Sequence, residues 1–162
     1  MVIVYTSNTG YTERYAKMLS TELGLPALEL KDARKNLAKG SDIIYMGWLM
    51  ASRVKNFAKA NKLYNVKCLC GVGMGPSGTQ IDEVKRAEKL TADFPLFTIQ
   101  GGFDMNKLTG AYKFAMKMLC GMIEKKNDAT EAEKWMLNTI RKGGDFVCLQ
   151  NLSEVLVFCR NM

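Results

Sequence analysis

The chain has 162 residues, 48% of them hydrophobic and 24% charged, which suits one packed core and excludes a disordered or low-complexity protein. Lysine and arginine total 23 against 16 carboxylates, a formal charge of +7, and there is no histidine, so the commonest general base is missing and hydrolytic triads are disfavoured. No apolar run reaches the roughly 18 to 20 residues that span a bilayer and no secretory leader is visible, so one soluble, cytoplasmic domain over residues 1–162 is expected.

In chain order, residues 2–6 form a β-branched and aromatic strand. Residues 11–23 put Thr12, Ala16, Leu19 and Leu23 on one helical face, and Gly24 to Pro26 stop that helix. A second strand is expected over 27–30, then a polar, basic stretch to Gly40. The apolar run 42–47 is a third strand and 54–64 a helix. Strand four, 66–73, stops in the turn-rich "GMGPSGT", and a helix over 80–90 leads to strand five, 94–100, which "GGFD" breaks. Helices over 107–126, 130–142 and 151–160 complete the chain. Alternation of this kind builds a parallel sheet covered by helices on both faces.

The cysteines, at 68, 70, 120, 148 and 159, are odd in number and lack any C-x-x-C pair, so neither a disulfide framework nor a metal site is expected. Cys68 and Cys70 share one strand face as small hydrophobes.

Chemistry concentrates in "TSNTGYT", residues 6–12, between strand one and helix one. Helix-opening amides have no intrahelical partners and face the positive end of the macrodipole, so an anion is stabilised there. Thr6, Ser7, Asn8, Thr9 and Thr12 add side-chain hydrogen-bonding groups beside Tyr11, and Gly10 admits close backbone approach. One terminal phosphomonoester fits this loop. A P-loop lysine is missing, as is G-x-G-x-x-G after the first strand, which counts against triphosphates and dinucleotides. The same residues would also serve an ordinary capped turn.

"IVYTSNTGYTERYAKML", residues 3–19, resembles the flavodoxin signature through Ile3, Val4, Tyr5, Ser7, Gly10, Thr12, Ala16 and Leu19. "GGFDMNKLTGAYKFAMKML" is similar to the branch of that family that includes menaquinone-dependent protoporphyrinogen oxidases. The resemblance implies a three-layer, doubly wound α/β fold with a five-stranded parallel sheet of order 2-1-3-4-5. It implies FMN as cofactor, its phosphate held by residues 6–12. The isoalloxazine would lie between the loops after strands three and four. Trp48, Leu49, Met50 and Ala51 would form one wall, and Gly73, Met74 and Gly75 the other, helped by Phe103. Electron transfer follows from it, either as a carrier or as a quinone- or porphyrin-linked oxidoreductase. No residue is nominated for proton transfer.

Three features depart from acidic flavodoxins. The +7 charge calls for an acidic redox partner or another anion, and no fold signature supports nucleic acid. Arg53 and Lys55 follow the expected flavin loop, where positive charge would favour an anionic reduced ring, and "WLMASR" lacks the glycine common there. Finally, "KLTGAYKFAMKMLCGMIEKK" sets Met116, Met118 and Met122 among Lys107, Lys113, Lys117, Lys125 and Lys126. This pattern fits a core helix with a solvated lysine face, or at most a peripheral membrane or ligand contact. A flavin-free regulatory or adaptor module is the alternative outside redox chemistry.

Overall fold

A computed structural model describes residues 1–162, which divide into two compact units: residues 1–101 with 147–162, and residues 102–146. The first unit holds strands β1 (Val2–Thr6), β2 (Ala27–Glu29), β3 (Asp42–Met50), β4 (Arg53–Val54), β5 (Asn65–Gly73) and β6 (Leu96–Gln100). Helices α1 (Tyr11–Leu23), α2 (Leu30–Asn36), α3 (Phe57–Leu63) and α4 (Ile81–Glu88) follow strands in turn. The sheet runs β2-β1-β3-β5-β6, all parallel, with β4 paired antiparallel to the end of β3. Without β4, this is the expected order.

Strand alternation sorts the core into two layers. Ile3, Ile44, Met46, Cys68, Cys70 and Ile99 face one side, where Tyr15, Ala16 and Leu19 of α1 meet them. Val4, Ile43, Tyr45 and Leu69 face the other, against Leu30, Ala33, Phe57, Ala60 and Val84. A 3₁₀ turn, Leu149–Leu152, and a last helix, numbered α7 (Ser153–Arg160) in chain order, supply Leu152, Val155 and Leu156 to the α1 side. The result is a three-layer α/β unit.

The second unit contains a two-stranded antiparallel ladder, β7 (Gly102–Phe103) with β8 (Gly144–Asp145), and helices α5 (Gly110–Glu124) and α6 (Glu131–Lys142). Thr130 and Glu133 form a capping box that fixes the start of α6, and Arg141 bonds Glu124 on α5 at 2.5 Å.

Several elements differ from the sequence expectation. The polar stretch after β2 is the helix α2, whose Leu30 and Ala33 are its only buried contribution. That stripe is too short to show a helical period. Strand three does not stop at Gly47 but continues to Met50, because β4 folds back on it through Ala51 and Ser52. The last expected helix begins as a 3₁₀ turn.

Candidate functional site

The chain passes from β1 to β2 in one direction and then crosses to β3 on the other side of β1. The sheet order therefore reverses at β1 and β3, whose ends are in register at Thr6 and Gly47. Crevices at such reversal points, beyond the C-terminal strand ends, are where open α/β sheets bind ligands. Here three segments gather at that edge: 7–10 after β1, 48–56 around the β3–β4 hairpin, and 74–80 after β5.

The first segment turns through Gly10, whose φ of 92° lies in the left-handed region and whose N–H donates to Ser7 Oγ at 3.2 Å. No side chain caps α1, and a Cβ built on Gly10 would meet nothing within 4 Å. The space beside Gly10 is thus open, as close approach of an anion requires. Glu13, the acidic residue of the first turn, is held by Lys17 at 2.6 Å, which offsets its charge near that opening. Ser7 and Thr9 are half-buried, Asn8 is exposed, and Tyr11 and Thr12 are buried, Tyr11 in the α1-side core.

Thr6 is engaged from below. Tyr45 Oη donates to the Lys55 carbonyl at 2.8 Å, so the 2.8 Å contact between Tyr45 and Thr6 has the Thr6 hydroxyl as donor. Asn56 Nδ2 then donates to Thr6 Oγ1 at 3.5 Å. The Thr6 proton is committed to this network, and its part is to tie the loop base to the hairpin. Burial pushes the Tyr45 phenol well above its usual value, with Glu88 adding to the shift against the Thr6 hydrogen bond. Glu88 also accepts from the Val54 N–H at 2.7 Å and so anchors β4 to α4.

The second segment is a hairpin and not the open loop expected. Ala51 and Ser52 both take positive φ, 48° and 59°, the pattern of a type I′ two-residue turn normally made by Asn-Gly. Trp48 and Leu49 point to opposite faces. Leu49 lies over Gly71 and Gly73, where a Cβ would meet it at 2.9 and 3.2 Å. It is therefore packing for β5, while Trp48 stands on the α1 side. Trp48 belongs to neither core cluster, and Lys55 Nζ lies 5.6 Å from its ring centroid. One face of the indole thus carries a cation. Met50 and Ala51 are exposed at the hairpin tip.

The third segment is pinned by Gln100, which donates from Nε2 to the Met74 carbonyl at 3.2 Å and from its backbone to Ser77 Oγ at 3.0 Å. The Gly101 N–H donates to Gly73 O at 2.7 Å. Gly73, Met74 and Gly75 are half-buried along this edge. Phe103 belongs to the second unit, where it is buried in β7.

Sequence reasoning missed Tyr45, Asn56, Glu88 and Gln100. Tyr45 had one signal, a hydroxyl inside an otherwise apolar buried strand. Two surface cavities of about 330 and 340 Å³ are present, one beside Leu23, Leu25 and Cys159, the other against the third segment, between Ser77, Gly78, Thr98 and Ser153. Comparisons with protein-family models, curated proteins and solved structures returned no match.

Proposed function

We propose that this chain is a flavodoxin-like, FMN-binding protein that mediates electron transfer. The observation that carries the reading is the uncapped opening of α1 at Gly10, at the reversal point of the sheet, with Trp48 on the same face. Ser7, Asn8, Thr9, Gly10, Tyr11 and Thr12 would surround the phosphate, with backbone amides and the helix dipole supplying the attraction. Trp48 would offer its ring face opposite Lys55 to the isoalloxazine, with Met50 and Ala51 at the rim and Gly73, Met74 and Gly75 across from it. When bound, FMN supplies the redox chemistry, and the protein's residues bind, orient and shield it. The +7 charge favours an acidic redox partner, steered in a salt-dependent manner.

Titration of the protein with FMN, followed by flavin fluorescence and visible absorbance, tests this directly. Saturable quenching that Gly10→Val abolishes is the expected result, because valine at positive φ strains the turn and fills the space above the helix. A colourless protein that takes up no FMN at millimolar concentration would overturn it and leave a flavin-free adaptor. For the FMN-loaded protein, turnover of a quinone with a porphyrinogen would make it an enzyme. Electron relay without turnover keeps it a carrier.

A further inference from the structure

We infer that α5 is a membrane-surface helix, docking the protein on an anionic lipid bilayer. Phe114, Met118 and Met122 recur at four-residue spacing on α5 and are 65%, 53% and 67% exposed. This spacing makes a continuous stripe along one side of the helix. The opposite side is also apolar: Ile123 is buried, and Tyr112, Met116 and Leu119 are half-buried. A helix apolar on both sides is ordinarily covered on both. Here one side meets solvent.

Charge selects the occupant. Residues 107–126 carry five lysines against a single carboxylate, Glu124, which Arg141 already holds. Lys113, Lys117 and Lys125 make no ion pair, while Lys126 is bound to Glu133 at 2.8 Å. On the helix, Lys117 and Lys125 lie within about a turn of the stripe, so their stems can run along it while their ammonium groups reach outward. An apolar stripe bordered by uncompensated lysines matches the interface of an anionic bilayer, where methionine and phenylalanine enter the acyl boundary and lysines meet headgroup phosphates. Fifteen residues span only about 22 Å, and no helix is long and apolar enough to cross a membrane, so α5 would lie in the interface plane. This inference does not depend on FMN.

Co-sedimentation of the full chain with phosphatidylcholine vesicles, with and without 30% phosphatidylglycerol (about one anionic lipid in three, comparable to an acidic leaflet), is the test. Binding to the anionic vesicles should exceed binding to neutral ones by at least about tenfold and weaken as salt rises. Met118→Asp should abolish it, and Lys117→Gln should lower it by about fivefold. Val157→Asp, on the exposed face of α7, should leave it unchanged, with circular dichroism confirming that each variant is folded. Equal partition to both vesicles, or binding insensitive to Met118→Asp, would overturn the inference. So would light scattering that shows a dimer abolished by Met118→Asp in a protein that ignores lipid, since the stripe would then be an interface between copies.

Discussion

Two buried tyrosines hold the strand ends in place, one on each face of the sheet. Tyr45 bridges Thr6 to the Lys55 carbonyl. Tyr15 donates to the Gln100 carbonyl at 2.5 Å and accepts from Asn151 Nδ2 at 2.9 Å. Removing the Tyr45 hydroxyl strips Lys55 O of its donor and Thr6 of its acceptor, so Tyr45→Phe should cost about 1–3 kcal/mol in urea unfolding. The pH response has a definite sign. Because the folded phenol titrates above its unfolded value near 10, its contribution is complete below about pH 10 and is lost as pH rises toward the folded value. Unfolding measured between about pH 8 and 11 should therefore show an alkaline decline that is shallower in Tyr45→Phe. The residual slope belongs to other groups, including Cys68 and Cys159, whose thiols are also raised, Cys68 against the opposing Cys159 hydrogen bond and Cys159 through its bond to Cys68. None of this bonding is legible in sequence, because Thr6, Tyr45 and Asn56 are far apart along the chain and meet only through strand register.

Among the elements, the β3–β4 hairpin is the most consequential and was the least legible. Its turn is built from Ala51 and Ser52, neither of which announces positive φ, so the apolar run from Asp42 looked finished at Gly47. The signal lay in Gly47 itself: a Cβ there would meet Val54 Cγ1 at 2.6 Å and the Lys55 carbonyl at 2.8 Å. Glycine is what lets the returning strand approach. Ala51→Gly should relieve about 1 kcal/mol of left-handed strain, raising Tm by about 2–4 °C. Gly47→Ala should instead lower stability by about 1–3 kcal/mol, because the neighbour it strikes is backbone. A calorimetric scan of both variants checks the pair, and opposite signs are the diagnostic result. By contrast, β1, α1, β5 and β6 are legible from apolar period and turn residues alone, and with them the parallel character of the sheet, whereas its strand order came only from the resemblance to flavodoxins.

For the whole molecule, the charge, alternation and opening loop were readable, but the grouping of residues 102–146 into a separate unit was not, since helical periodicity says nothing about which core a helix joins. The first unit closes across that segment by its own bonds: Asn151 Nδ2 donates to the Gln100 carbonyl at 3.2 Å. Replacing residues 102–146 with a short glycine-serine linker should therefore leave a folded α/β unit with its far-ultraviolet dichroism and cooperative unfolding retained. FMN affinity within about threefold of the full chain would show that Phe103 is dispensable for the cofactor. A large loss would give Phe103, or its unit, a part in holding it.

The same arrangement imposes an order on synthesis. Leu152, Val155 and Leu156 cover the α1 side of a sheet whose last strand ends at Gln100, so that apolar layer stays wet while about fifty more residues are translated, roughly 3–10 s at ordinary ribosomal speed. Released chains truncated between residues 101 and 150 should thus expose a sticky surface that chaperones recognise, and the released full-length chain should shed them.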